Sequence, residues 1–162
     1  MHLQQLTADH LDAVLAFETV NRDYFAATIP DRGDEFFADY PTRHAELLRL
    51  QAEGTDLFHL LLTNDGTIAG RVNLLCISDG SAELGYRVGR DFAGRGVATE
   101  GVRRVCVLAD QDYGLARLQA ETGIGNHASQ KVLLRNGFTV VGETTSGLLF
   151  LRQRAGTSIV DR

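Results

Sequence analysis

The chain has 162 residues, of which 44% are hydrophobic and 23% charged, and its formal net charge is -5. This composition predicts one globular domain with a buried core, and the acidic balance argues against a nucleic-acid partner, since such proteins carry a basic surface. No apolar run reaches the roughly 18 residues of a membrane span, and residues 1–5 do not begin a secretion signal, so we expect a cytoplasmic protein without a membrane partner.

The first half of the chain predicts a strand, two helices and a meander of three strands. In chain order these are a strand at 2–6, a helix from about 8 to 25, a helix at 35–53, and strands at 57–63, 68–77 and 82–88. Gly54 is a typical helix end, Pro41 leaves open that 36–40 is a separate turn, and Asp65-Gly66 is a strong hairpin signal.

The second half predicts alternating helices and strands that complete a mixed sheet. Its elements are a glycine loop at 94–96, a helix to about 113, a strand at 115–122, a helix from Asn126 to 136, and a hairpin of 138–143 with 148–152. This order places helices against a sheet. We therefore predict one domain at 1–154 and a loose tail at 155–162.

The two cysteines give no sign of metal or redox chemistry. Cys76 and Cys106 both lie in apolar runs, and their spacing matches neither a metal site nor a redox pair. We predict two buried free thiols and no metal site.

The stretch Gly94-Arg95-Gly96-Val97-Ala98-Thr99-Glu100 joins the predicted strand at 82–88 to an amphipathic helix. The first amides of a helix lack intrahelical partners and carry partial positive charge, so this turn predicts a phosphate or pyrophosphate site. Glycine lets the backbone approach a ligand closely. On its own the motif is equally compatible with a plain tight turn, because no Walker lysine follows and position 99 is Thr.

A second motif runs from Asn126-His127-Ala128-Ser129 to Asn136-Gly137-Phe138. Together with the glycine loop, Glu83-Leu84-Gly85-Tyr86 and the order of the elements, it resembles the Gcn5-related N-acetyltransferase (GNAT) superfamily, in its RimJ/RimL-type branch, over nearly the whole chain. The resemblance implies an α/β fold with a mixed sheet of about seven strands, splayed between the fourth and fifth, and helices on both faces. It also implies direct transfer of an acetyl group from acetyl-CoA to the amine of a protein N-terminus or a small molecule.

The resemblance implies acetyl-CoA as co-substrate and assigns its contacts. The pyrophosphate would rest on the amides of the glycine loop, the pantetheine would pair with the fourth strand, and Asn126 would both cap its helix and bond the pantetheine. The cofactor-binding residues are therefore Tyr86, Val88, Gly94, Arg95, Gly96, Val97, Ala98, Thr99 and Asn126. One departure is Ala93, where the superfamily usually has Gln or Arg.

Two residues are assigned catalytic roles by the same resemblance. Glu83 would remove the proton of the amine, although alternation along its strand also allows an ordinary solvated carboxylate, and Glu121 on the next strand is the rival base. Ser129 would donate to the departing thiolate, because the position where many members carry a Tyr acid is Leu133 here. A first-turn Ser without any role remains the alternative.

Three questions stay open at this level. A non-catalytic sensor of acyl-CoA with a degenerate site is the alternative to an enzyme. The acceptor pocket, for which residues 21–25 lie in the expected place, does not reveal its amine. The sequence is also compatible with either a monomer or a homodimer.

Overall fold

The computed structural model describes residues 1–156, so most of the predicted tail at 155–162 lies outside the described residues. The strands are β1 (His2–Gln5), β2 (Leu57–Leu62), β3 (Ile68–Ser78), β4 (Ser81–Val88), β5 (Arg117–Gly123), β6 (Thr139–Glu143) and β7 (Gly147–Gln153). The helices are α1 (Leu11–Val20), α2 (Arg22–Ala26), α3 (Asp34–Ala38), α4 (Tyr40–Glu53), α5 (Val97–Gln111) and α6 (His127–Arg135). No helix in this part of the chain is long and apolar enough to cross a membrane.

The strands form one sheet in the order β1-β2-β3-β4-β5-β7-β6. Neighbours are antiparallel except for β4 and β5, which are parallel. That parallel pair is short, since only Ser81–Glu83 faces Arg117–Gln119 before the two strands separate. The predicted fold class, with a splay between the fourth and fifth strands, is confirmed.

Helices cover both faces of the sheet because side chains alternate along each strand. On one face, Val72 and Leu84 pack against Val102 and Val105 of α5 in the larger apolar core. On the other face, strand residues such as Leu60 pack beneath α1 and α4. The sheet is thus packed against helices on both sides.

The predicted first helix is broken, and Asn21 is the cause. Its Nδ2 donates to the carbonyl of Phe17 at 2.9 Å, and its Oδ1 accepts from the amide of Arg90 at 2.9 Å. An Asn side chain that bonds the backbone competes with helical hydrogen bonds, so α1 ends and α2 begins. Similarly, the helix predicted at 35–53 is two helices, α3 and α4, with Pro41 in the first turn of α4.

The prediction of two buried thiols is wrong for Cys76. Cys106 is buried, and this burial raises the pKa of its thiol to about 11. Cys76 is exposed, because the pairing of β3 with β4 is irregular between Leu75 and Ser78 and Cys76 there has a φ of 53°. This irregularity brings Cys76 to the surface although it lies in an apolar run.

His59 is a buried polar side chain of β2 on the α5 face. Its Nδ1–H donates to the carbonyl of Val72 at 3.1 Å, and its Nε2 accepts from the Tyr113 hydroxyl at 2.7 Å. A neutral ring satisfies both bonds, and burial lowers the pKa of His59 to about 4.

We expect this histidine to make the fold sensitive to acid. An unfolded His59 takes up a proton near pH ~6.5, while the folded one resists until about 4. The unfolded state therefore binds more protons in this window, and the free energy of unfolding should fall by about 2 kcal/mol between about pH 7 and about pH 5. Urea titrations should show that the free energy of unfolding depends less on pH in His59→Gln than in the unchanged protein. The variant His2→Gln, at an exposed position, should keep the full pH dependence. Equal pH dependence in all three proteins would contradict the assignment to His59.

Candidate active site

The glycine loop links the end of β4 to the start of α5. Gly94 and Gly96 have φ values of 73° and 74°, in the left-handed region that glycine adopts without strain. Glu100 donates the first intrahelical bond of α5, to the carbonyl of Gly96 at 3.0 Å. The amides at 97–99 therefore have no acceptor within the helix and form a site for an anion.

A cavity of about 680 Å³ opens above this loop. Its wall includes all the predicted cofactor-binding residues except Arg95, namely Tyr86, Val88, Gly94, Gly96, Val97, Ala98, Thr99 and Asn126, and also the predicted thiolate donor Ser129. Arg95 is exposed and is not part of the wall. Within residues 1–156 no group of metal-ligating side chains accompanies the cavity.

Two cations in this cavity were not predicted from the sequence. Lys131 and Arg135 of α6 line the wall next to the start of α5. Ala128, Lys131, Val132 and Arg135 all line it, and their spacing places them on one helical face. The spacing of these four residues is visible in the sequence, but only the structure shows that this face of α6 lines the cavity.

Asn136 ties α6 to the glycine loop. Its Nδ2 donates to the carbonyl of Thr99 at 3.2 Å and to that of Val132 at 2.9 Å. Gly137 follows with a φ of 82°, and Phe138 is buried in the larger core. The Asn-Gly-Phe end of the second motif therefore has a structural role, which fixes the cations of α6 opposite the helix N-terminus of α5.

The splay leaves one edge of β4 without a strand partner. Beyond Glu83, residues 84–88 pair with β3 but not with β5. Unpaired strand edges present backbone donors and acceptors to an extended partner. An elongated ligand with amide groups can therefore pair with β4 while its anionic end rests on the glycine loop.

Ser129 lies at the inner end of this edge. Asn126 caps α6, because its Oδ1 accepts from the amide of Ser129 at 3.2 Å, as predicted. The Ser129 Oγ is 2.6 Å from the hydroxyl of Tyr86, which also donates to the Ser129 carbonyl at 3.1 Å. Burial raises the pKa of Tyr86, and the bond to Ser129 partly opposes this, so the phenol stays protonated at neutral pH.

A second cavity of about 360 Å³ continues from the first. Six residues line both cavities: Thr28, Ile29, Tyr86, Arg87, Asn126 and Ser129. Residues of β3 and β5 complete the second wall, among them Arg71, Asn73 and Glu121. Two ligands, one in each cavity, would therefore meet beside Ser129.

A buried ion cluster supports the second cavity. Glu18 of α1, which is 1% exposed, accepts from Arg71 at 2.7 Å and from Arg87 at 3.0 Å. The Arg87 guanidinium also lies 4.7 Å from the centre of the Phe25 ring. Breaking such a pair leaves an uncompensated buried charge, so Glu18 fixes the position of both arginines.

The two candidate bases, Glu83 and Glu121, have different surroundings in the structure. Glu83 is exposed on the last rung where β4 and β5 still pair, and it lines neither cavity. Glu121 lines the second cavity, and hydrogen bonds from the hydroxyls of Thr144 and Ser146 lower its pKa. The catalytic assignment of Glu83 stays a prediction, and Glu121, which is also exposed, is the carboxylate that lines the second cavity.

A model of the acetyltransferase (GNAT) domain matches residues 1–139 of the chain. The curated Bacillus subtilis protein named "Putative ribosomal N-acetyltransferase YdaF" is 27% identical over 130 residues, which are 76% of this chain and 67% of that protein.

Two solved structures have the same fold. The ribosomal-protein-S5-alanine acetyltransferase from Vibrio fischeri superposes with a TM-score of 0.89 at 19% identity, over 95% of this chain and 93% of that one. Mycobacterium smegmatis RimJ, solved in complex with CoA-disulfide, gives a TM-score of 0.82 at 20% identity, over 93% of this chain and 80% of that one.

Proposed function

From the premise that the chain belongs to the acetyltransferase (GNAT) domain family and is an acetyl-CoA-dependent acyltransferase, we propose that it acetylates a primary amine by direct attack. The observation that carries this proposal is the meeting of the two cavities beside Ser129. One cavity has the features that acetyl-CoA requires, and the other has the space and the charged groups for an acceptor.

The first cavity offers groups for two parts of acetyl-CoA, the pyrophosphate and the pantetheine. The free amides at 97–99, with Lys131 and Arg135 opposite, would hold the pyrophosphate. The unpaired edge of β4 and Asn126 would hold the pantetheine. The thioester then lies near Ser129, at the entrance to the second cavity.

Attack requires a neutral amine and stabilisation of the charge on the thioester oxygen. Glu121 would take the proton of the amine, directly or through water, because its carboxylate lines the acceptor cavity. A backbone amide of the unpaired β4 edge would bind the oxyanion. Glu83 remains the rival base, although it lines neither cavity.

The departing thiolate would receive a proton from Ser129. A thiol with a pKa of ~8.5 is an undemanding leaving group, so one hydroxyl is sufficient. Tyr86 is 2.6 Å from the Ser129 Oγ and can donate to it once the serine proton turns to sulfur. The carbon–sulfur bond breaks as the amide bond forms, and the products are CoA thiol and the N-acetylated amine.

The acceptor is proposed to be the N-terminal amine of a protein or the amine of a small molecule. The names of the YdaF relative and of the Vibrio fischeri neighbour refer to ribosomal acceptors. Both kinds of acceptor present a primary amine at the end of a flexible group, which suits a cavity whose wall includes Thr28, Ile29 and Arg32.

Release of thiol from acetyl-CoA in the presence of amines tests this function. We expect amine-dependent thiol release by the purified protein, and a mass increase of one acetyl group on the acceptor. A protein that binds acetyl-CoA in calorimetry but releases no thiol with any amine would instead be the non-catalytic sensor, and the proposal would fail.

A further inference from the structure

Buried polar atoms without partners mark the second cavity. In the described part of the chain, three such side-chain atoms lack any hydrogen bond: Arg71 Nε, Asn73 Oδ1 and Thr122 Oγ1. All three residues line this cavity. Buried polar groups in native proteins are nearly always bonded, so a cluster of unpartnered ones at a cavity wall indicates that a ligand completes them.

Arg71 is the most informative of the three. It is 5% exposed, and its Nη1 donates to Glu18 at 2.7 Å. Its Nε is unpartnered, and among the described residues its Nη2 makes no hydrogen bond either. Nε and Nη2 form one edge of the planar guanidinium, and such an edge binds the two oxygens of a carboxylate with parallel hydrogen bonds.

The charges around the cavity also favour an anion. Three arginines line it, Arg32, Arg71 and Arg87, against the single carboxylate of Glu121, and Glu18 pairs with two of the arginines. The chain as a whole has a formal net charge of -5, so the wall of this cavity is positively charged although the protein is acidic. Burial and the neighbouring charges of Arg87 and Arg71 lower the pKa of Arg32 to about 10, with Glu18 opposing them, so the arginines repel one another while all remain charged.

A purely structural role leaves this excess unexplained. One buried carboxylate, Glu18, is shared by Arg71 and Arg87, and an unpaired buried charge is costly. A ligand carboxylate would compensate the second cation. A polyamine, by contrast, would bring further positive charge to the same wall.

We propose that the acceptor is a primary amine that also carries a carboxylate, and that this carboxylate binds the Nε and Nη2 edge of Arg71 with Arg32 and Arg87 nearby. The inference rests on the proposed transferase function and specifies its substrate class. Asn73 offers an amide oxygen on the same wall for an N–H group of the acceptor. The carboxylate belongs either to a free amino acid or to an acidic first residue of a peptide.

The same charges assist the chemistry. Cations near an amine disfavour its protonated form and lower its pKa. An acceptor held by its carboxylate would therefore present a larger neutral fraction of its amine at neutral pH, and would need less help from Glu121.

Thiol release measured with matched acceptors tests the proposal. The free amino acid arm compares L-alanine with L-alaninamide, and the peptide arm compares tripeptide amides that begin with Asp or Asn. Rates are expressed per neutral amine, since the amine pKa values differ, and spermidine serves as a cationic acceptor. We expect kcat/KM to be roughly 10-fold higher for the carboxylate member in at least one arm, which identifies the source of the carboxylate.

Variants connect this preference to the arginines. Arg71→Lys keeps a positive charge for Glu18 but removes the paired Nε and Nη2 donors. The preference for acceptors with a carboxylate should therefore fall roughly 10-fold. Arg32 is exposed over part of its side chain although its guanidinium is partly desolvated, so Arg32→Gln should lower the preference roughly 3-fold, and it serves if Arg71→Lys does not fold. Arg49→Gln is the matched control on the outer side of α4, where Arg49 pairs with Glu46 and Glu53, and it should change nothing.

The outcomes separate this inference from the transferase function. Thiol release that is equally fast with the matched acceptors that lack a carboxylate, or fastest with spermidine, overturns the inference and leaves the transferase function in place. A preference for carboxylates that survives both Arg71→Lys and Arg32→Gln also overturns it. If no acceptor releases thiol, the transferase function fails and this inference fails with it.

Discussion

Replacement of Gly96 by valine is expected to lower the affinity for acetyl-CoA by roughly 100-fold. Gly96 has a φ of 74° and precedes the free amides of α5, and a side chain there would meet no protein atom within 4 Å. The added atoms would instead project into the open space beside the loop. A β-branched residue resists this backbone conformation and screens the amides from the pyrophosphate, so both effects act on cofactor binding. Calorimetry with acetyl-CoA measures the loss.

Gly54 supplies the matched control for this experiment. It has a φ of 75°, also faces open space, and ends α4 away from both cavities. Gly54→Val therefore adds the same backbone strain without affecting the loop, and it should lower the melting temperature but not the affinity. If Gly96→Val binds acetyl-CoA normally, or if the two variants lose affinity equally, the pyrophosphate is not held by these amides.

Local sequence signals predicted most of the fold. Asp65-Gly66, Gly54 and the Asn126 cap fix turns and helix ends within a few residues, and the structure has each of them. Alternation along β4 likewise puts Leu84 on one face of the sheet and Arg87 on the other. These features depend on neighbours in sequence, which is why they could be read without the structure.

Features that depend on distant contacts could not be read. The break at Asn21 follows from its bond to Arg90, which is 69 residues away. The pair of Glu18 and Arg71 spans 53 residues, and nothing in either local sequence indicates it. The grouping of cations in the acceptor cavity could therefore be recognised only from the packing of α1 against β3 in the structure.

The position of the splay decided which carboxylate lies at the site. The pairing of β4 with β5 places Glu83 and Glu121 on the same face of the sheet, because Glu83 is opposite Gln119 and Glu121 is two residues further on. The sequence does not give the rung at which β4 and β5 separate. Separation directly after Glu83 leaves Glu121 beside the cavity and Glu83 outside it.

Glu121→Gln and Ser129→Ala are expected to change the pH–rate profile in different ways. Hydrogen bonds from Thr144 and Ser146 lower the pKa of Glu121, so its carboxylate stays charged throughout the neutral range. Loss of this base should reduce kcat/KM by roughly 100-fold near neutral pH. The deficit should shrink as the pH rises past the amine pKa of ~8, because the amine then loses its proton unaided.

Ser129→Ala should reduce kcat by roughly 10-fold at every pH and leave the affinity for acetyl-CoA unchanged, since the thiolate needs a donor whatever the state of the amine. Glu83→Gln is the matched control, because it removes a carboxylate from the same face outside the cavities. A pH-dependent deficit in Glu83→Gln and none in Glu121→Gln would instead support the base predicted from the sequence. Equal deficits at all pH values in both glutamine variants would show that neither carboxylate moves the proton, and the arginines around the acceptor would then be sufficient to keep its amine neutral.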